Sequence, residues 1–472
     1  MGLSPLHFIG AIFIIAVFIG IGIYSGKKIK SSSDFATGGK KAGSFLVMGM
    51  ITGTLVGGSS TIGTAQLAFS FGLSAWWFTL GGGIACLVLG LVYLKPMRAS
   101  GCDTIQQMIS REYGDTAGLI TAILGTLGML INIISQLLSF NALAISVIKI
   151  DPVLCAIAGM ALMLCYVVFG GILGTGVLGL VKLILLYLSV IASGFMVLKL
   201  AGGFSSFYND LPHSKYFNFF ARGAGVDCGA GLSLVLGVLS TQTYIQAVLS
   251  GKSDSAARRG AFMSAFIIPP VGAGGILIGQ YMRFTQPDMN PALVFPRFII
   301  EQMHPLFGGI VLATLLITVT GTGAGLALGF GSTITSNIYL KFFNKENSDK
   351  KTLAVMRALI VFALVVAGIF TLGNLKSVIL AWGFLSMALR GAVLFVPVTA
   401  ALFLRSRVDG RYVIMSGILG LAAVIIGNFT IKGGIDPLFI GICVSVITVF
   451  LGFLVQQHKR KGVNRERHEK AK

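Results

Sequence analysis

Two cations lie inside long apolar runs. Lys182 stands in Gly179-Leu180-Val181-Lys182-Leu183-Ile184, and Arg390 in Ser386-Met387-Ala388-Leu389-Arg390-Gly391. None of the sixteen Asp and Glu residues falls in such a run. An ionisable side chain at membrane depth is expensive and marks function by default, and Lys182 has no carboxylate to pair with. Two further stretches mix glycine with hydroxyls, Thr54–Thr61 and Thr318–Gly325. Irregular backbone at such a depth is tolerated only where it is buried in protein or lines a cavity. Discontinuous helices in corresponding halves point to a transport site, so both segments are read as interrupted. Close helix packing through small residues is the plainer alternative. Other chemistries find no residues. There is no HExxH, and His7, His213, His304, His458 and His468 scatter over span ends, loops and tail. The six cysteines form no CxxC, which argues against zinc and a disulfide framework. Neither an enzyme nor an organic cofactor is expected.

The elements that position these residues follow from composition. Of 472 residues, 55% are hydrophobic and 11% charged. A soluble domain carries about 25% charged residues, so a soluble enzyme and a disordered chain are excluded. A bilayer-crossing helix needs roughly 20 apolar residues. Thirteen segments qualify, at 5–25, 42–72, 74–95, 117–148, 152–170, 173–200, 229–250, 260–283, 305–339, 352–373, 376–404, 412–431 and 436–457. No soluble domain fits between them. With the N-terminus outside, twenty-six of the Lys and Arg residues fall on inner segments and eight on outer ones. That is the positive-inside bias, and it puts the basic tail in the cytoplasm. The net charge of +20 is therefore an orientation signal rather than a sign of nucleic acid. The first apolar run has no basic stretch before it and is read as a retained span.

Three stretches resemble the solute:sodium symporter family, which has the LeuT-type fold. Gly57-Gly58-Ser59-Ser60-Thr61-Ile62-Gly63, with Ala68–Leu73, is similar to that family's first core helix. Gln242-Thr243-Tyr244-Ile245-Gln246, with Leu249–Ser253 and Ala257–Gly260, is similar to its sixth. Thr322 through Ser332–Tyr339 is similar to its eighth. The resemblance implies an all-α integral membrane protein of about thirteen helices with a 5+5 inverted repeat. One helix would precede the core and two would follow it. The parts would be an N-terminal helix and basic loop (1–41), a core (42–404, halves 42–200 and 229–404) and a C-terminal pair of helices with a basic tail (405–472). Core helices 1 and 6 would be broken around the substrate.

The resemblance also carries a sodium site onto Gly53, Val56, Thr318, Gly321 and Thr322. Two departures stand out. Gly321 lies where the family usually has a hydroxyl. In core helix 5 a family Thr-Asp pair and a following Gln correspond to Leu178, Gly179 and Lys182. The expectation is that the Lys182 ammonium reaches between core helices 1 and 8 and replaces bound Na⁺. A bland alternative is that it snorkels or caps a broken helix. Arg390 is read as capping a break in core helix 10 or lining the inner vestibule, with an anion contact as the second reading. The resemblance further places the family's substrate residues on Ser60, Phe78, Thr79, Thr241, Gln242 and Phe384, with Gln136 and Asn141 added by polarity. Trp76 and Trp77 are read as an interfacial belt. Hydroxyls and apolar groups dominate this set, which suggests a small solute less hydroxylated than a sugar.

The function expected is secondary active import of a small organic solute by alternating access, proton-coupled or sodium-independent through Lys182. The alternatives are ordinary Na⁺ symport through a degenerate site and a membrane sensor with a transporter fold. The coupling ion would be Na⁺ or H⁺. The partners would be the solute and the lipid bilayer, with a monomeric transport unit and no nucleic acid. The location would be the inner (plasma) membrane, multi-pass, N-terminus outside and C-terminus cytoplasmic.

Overall fold

A computed structural model describes residues 3–26, 40–148, 151–343, 349–375, 377–431 and 433–470. Most of the basic loop over 27–41, and Lys149, Lys345, Lys376, Lys432 and Lys472, lie outside them. Among the described residues no strand forms, and one isolated bridge pairs Ala42 with Gly251. The principal helices are α1 (Pro5–Gly26), α2 (Ser44–Leu55), α3 (Thr64–Phe71), α4 (Trp77–Val88), α5 (Ile105–Tyr113), α6 (Asp115–Ile148), α7 (Pro152–Leu200) and α8 (Ala224–Leu239). They continue with α9 (Gln242–Leu249), α10 (Asp254–Thr285), α11 (Val294–Gln302), α12 (Pro305–Ile334), α13 (Asp349–Leu372), α14 (Ile379–Arg390), α15 (Gly410–Thr430) and α16 (Pro437–Lys470). Nine helical stretches among the described residues are long and apolar enough to cross a membrane, and a bent pair adds a tenth. Three shorter apolar helices stand at Pro5–Phe18, Ser44–Leu55 and Pro152–Val167. The segment read at 42–72 is divided between Ser44–Leu55 and the stretch Ser59–Ala99, which also contains the segment read at 74–95.

The all-helical outcome has one cause. In hydrocarbon every backbone N–H and C=O must be satisfied within the chain, and a helix does this segment by segment. Helix runs continuously through α7 for 49 residues, where the sequence suggests two spans at 152–170 and 173–200.

Two interruptions shape the centre. The α2 helix ends at Leu55, and Val56 adopts extended dihedrals (φ −86°, ψ 99°) before a π-helical turn over Ser59–Gly63. Helices α8 and α9 meet at 50° across Ser240 and Thr241, and Thr241 is extended (φ −103°, ψ 119°). The first agrees with the glycine and hydroxyl pattern. The second corrects it, because the run over 318–325 is unbroken helix inside α12. There the small residues serve close packing: a Cβ on Gly325 would lie 2.8 Å from Thr54 Oγ1 of α2. Thr320 returns its hydroxyl to Leu316 O of its own helix. Glycine clusters permit either outcome, and neighbouring helices decide between them.

The ends of the bundle are tied separately. At one end Lys40 pairs with Asp103, Arg98 with Asp254, Lys341 with Asp115 and Lys459 with Asp409. All eight residues come from segments the charge pattern places inside. At the other end Arg222 pairs with Asp227, which is fully buried at the start of α8 although the sequence places it in a loop.

Candidate functional site

Lys182 is 1% exposed on α7, and its ammonium lies between α2 and α12. Nζ donates to Gly53 O (2.7 Å), to Thr318 O (3.0 Å) and to Thr322 Oγ1 (3.0 Å). An ammonium has three N–H groups, and three oxygens receive them. The Thr322 hydroxyl also lies 3.0 Å from Val56 O and 3.3 Å from Gly53 O. Five of the six residues expected around the cation thus meet at one point through neutral oxygens and one amine. The Thr318 hydroxyl itself has no hydrogen-bond partner.

Gly321 supplies no oxygen, and its neighbour explains the space. A Cβ there would stand 2.9 Å from the Tyr166 hydroxyl of α7. Gly179, one turn before Lys182, allows the approach of α7 to α2, since a Cβ on it would meet Gly49 O at 2.2 Å. Sequence reasoning missed Tyr166 entirely. Nothing in its surroundings marks it until α7 and α12 are seen side by side.

The interruption after α2 is braced from α6. Gly58 N–H donates to Gln136 Oε1 (2.8 Å), and Gln136 Nε2 donates to Asn132 Oδ1 (3.0 Å). Ser59 and Ser135 share a hydroxyl contact at 2.8 Å, and Ser135 Oγ donates to Ile379 O (2.9 Å). Ser60 Oγ folds back on Gly57 O (2.9 Å). Phe78 and Phe384 meet edge to face at 5.4 Å, and the Arg222 guanidinium stands 5.3 Å over the Phe384 ring. Gly383 brings Phe78 and Ser59 together, both 3.0 Å from where its Cβ would be. Ser60, Phe78, Gln136 and Phe384 therefore gather around one interruption.

Other expected contacts lie elsewhere. Thr79 points its hydroxyl toward Trp76 O and Pro269 O, on the α10 side. Gln242 is held at the entry of α5, donating to Asp103 O and accepting from Ile105 N–H. Asn141 donates to Pro152 O. The indoles of Trp76 and Trp77 donate to Pro269 O and Phe219 O. Arg390 is fully buried. It donates within its own helix, from Nε to Ser386 O (3.1 Å) just before the π-helical turn over Gly391–Phe395, and it also crosses to the α8–α9 interruption, where Nη1 donates to Thr241 Oγ1 (2.7 Å).

Among the described residues no group of three His, Cys, Asp or Glu is placed to hold a metal ion. A hard monovalent cation would need the oxygens of Gly53, Thr318 and Thr322. It does not fit there while the Lys182 ammonium holds them.

A family model described as the sodium:solute symporter family matches residues 35–420. The osmoregulated proline transporter OpuE of Bacillus subtilis (strain 168) is 24% identical over 470 residues, covering 93% of this chain and 94% of that protein. The high-affinity choline transporter 1 of Drosophila melanogaster is 22% identical over 75% of this chain and 60% of that protein. Among solved structures, a Na⁺-coupled sialic acid symporter in a substrate-bound outward-open state aligns with a TM-score of 0.79 at 16% identity, covering 96% of this chain and 98% of that one. Mhp1, a nucleobase-cation-symport-1 family transporter in a closed conformation, aligns at 0.60 with 12% identity, covering 92% and 95%. These structures show the fold, the LeuT-type bundle expected.

Proposed function

The chain belongs to the sodium:solute symporter family, a family of membrane transporters rather than enzymes, and from that premise we propose that it imports a small organic solute without bound sodium at the conserved position. Lys182 takes the cation's place. One observation carries this: its three donors end on Gly53 O, Thr318 O and Thr322 Oγ1, a shell of neutral oxygens between α2 and α12. A sodium ion bridging two helices does so by charge, and a protonated amine supplies the same unit charge from inside the chain. The device is permanent unless the amine loses its proton. A proton exchanged at Nζ then does the work that binding and release of Na⁺ would do, and the solute moves with H⁺ or without an ion.

The substrate lies beside the interruption after Val56, among Ser60, Phe78, Gln136 and Phe384. Proline and choline, the solutes in the names of the two relatives, are the first probes. The pairing of the basic segments at one end of the bundle supports a cytoplasmic C-terminus, an external N-terminus and a plasma-membrane location. Ordinary Na⁺ symport is the second reading, and membership of the family favours it.

Thermal unfolding of the purified chain in NaCl and in KCl separates the two without knowing the solute, because a ligand of the folded state raises its stability by mass action. Equal midpoints in both salts are expected for the native chain. Liposome uptake follows, with Na⁺ or K⁺ outside and with an imposed pH gradient. Saturable stabilisation by Na⁺ alone, with Lys182→Ala still transporting, would sink the proposal.

A further inference from the structure

We propose that a basic cavity beside Lys95 and Arg98 binds the phosphate headgroup of an anionic phospholipid. The site stands apart from the centre and does not depend on which solute or ion the chain carries.

The cavity has a volume of about 290 Å³, and Lys40, Lys95, Arg98, Cys102, Leu249 and Asp254 are among the residues that line it. Two of its three cations are already paired. Lys40 meets Asp103 at 3.1 Å, and Arg98 Nε meets Asp254 Oδ1 at 2.6 Å. Lys95 has neither an ion pair nor a hydrogen bond among the described residues. Arg98 uses Nε on the carboxylate and Nη1 on the carbonyls of Val248, Leu249 and Gly251, which leaves Nη2 without a partner. The cavity therefore keeps one cation in excess and two nitrogen donor groups unspent. A phosphodiester spreads one negative charge over its free oxygens, and it accepts charge-assisted bonds from both lysine and arginine.

The surroundings favour a lipid as the source of that phosphate. Helix runs from Trp77 through a π-helical turn over Leu89–Tyr93 to Ala99. Ile84, Leu91 and Val92 are large exposed apolar residues on this stretch, which is long and apolar enough to cross a membrane. In a bilayer such a row faces the acyl chains. Lys95 and Ala99 are exposed on the turns that follow. Lys95 stands one turn beyond Leu91 and Val92, at the edge where a lysine leaves its stem on apolar ground and its charge at the headgroups. A lipid whose headgroup enters the cavity keeps its acyl chains beside Leu91 and Val92. A phosphate from water gains nothing from that row. The charge pattern places these segments on the inner side, where the leaflet is rich in anionic lipid. Arg98 also holds the carbonyls at the end of α9. The phosphate takes the nitrogen those carbonyls leave over, so both are held at once.

The test uses the full-length chain in detergent. Short-chain phosphatidylglycerol is titrated against phosphatidylcholine of the same chains, with glycerol phosphate and inorganic phosphate as headgroups without tails. The readouts are the thermal midpoint and the alkylation rate of Cys102, a half-buried residue of the cavity wall, resolved by peptide mass spectrometry. Phosphatidylglycerol is expected to stabilise the chain saturably and to slow alkylation of Cys102. Phosphatidylcholine and the two tail-free phosphates are expected to do neither at the same concentration. Lys95→Gln changes an exposed side chain without partners, so the fold is expected to stand. It is expected to raise the half-saturating phosphatidylglycerol concentration about fivefold. Lys350→Gln is the control for diffuse attraction to a basic protein. It removes an exposed cation at the start of α13, outside the cavity, and is expected to leave that concentration unchanged. Equal action of the two lipids would overturn the proposal. So would tail-free phosphate acting as strongly as the lipid, equal losses in the two variants, or alkylation of Cys102 at an unchanged rate.

Discussion

Lys182 offers three donors to three oxygens, and each oxygen comes from a different turn of the two helices it joins. Removing one acceptor from a buried charged group leaves a donor unpaired. Thr322→Val keeps the volume and deletes the hydroxyl that receives Nζ and faces Val56 O. It is expected to lower stability by ~1–3 kcal/mol, measured by thermal or denaturant unfolding in detergent. Thr320→Val is the control. Its hydroxyl only returns to its own helix, so a smaller loss is expected. At this scale the sequence was informative where a residue is out of place. A lysine in an apolar run with no acid nearby is such a residue, and so is a glycine where a hydroxyl is usual. Tyr166 filling the space beside Gly321 has no such mark, because a tyrosine in an apolar helix is ordinary.

Helix α7 approaches α2 so closely that only glycine fits at position 179. A Cβ there would lie 2.2 Å from Gly49 O and 3.1 Å from Gly53 Cα, and backbone atoms cannot move aside as a side-chain tip can. Gly179→Ala is expected to separate the two helices and draw Lys182 off Gly53 O. The expected loss is ~1–3 kcal/mol in unfolding experiments, accompanied by a lower uptake rate. The same scale shows where pattern reading failed. The Gly and Thr run of α12 looked like an interruption and is a packed helix. The true second interruption, Leu239-Ser240-Thr241-Gln242, contains neither glycine nor proline. Local composition cannot mark a break that is held by a side chain from another helix, and Arg390 on Thr241 is such a side chain.

Hydrogen bonds tie the helices together on two sides of the centre. On one side the chain before α2 pairs with the chain after α9, through Ala42 N–H to Ser250 O (3.0 Å) and Lys252 N–H to Ala42 O (2.9 Å). Arg98 Nη1 gathers Val248 O and Leu249 O at the end of α9 and Gly251 O just beyond it. On the other side Ile379 N–H donates to Gln66 Oε1, and Gln280 Nε2 donates to Tyr216 O. Alternating access requires one of these closures to open at a time. Arg98→Ala is expected to loosen the first alone, seen as faster amide hydrogen exchange over residues 242–252 with little change over 377–384. Equal exchange in both regions would mean that Arg98 does not hold that closure.

The sequence by itself determined that this chain is a bundle of membrane helices, which way its charge is biased, and that two unpaired cations sit at depth. Those follow from hydropathy and charge, which are properties of residues and short segments. The tertiary structure alone decided that the three donors of Lys182 end on Gly53 O, Thr318 O and Thr322 Oγ1 with Tyr166 filling the space beside Gly321, and that the glycine run of α12 is packed rather than broken. It also decided that Arg390 reaches across to another helix's interruption. These depend on distances between residues more than a hundred positions apart, and only the packing of whole helices sets such distances.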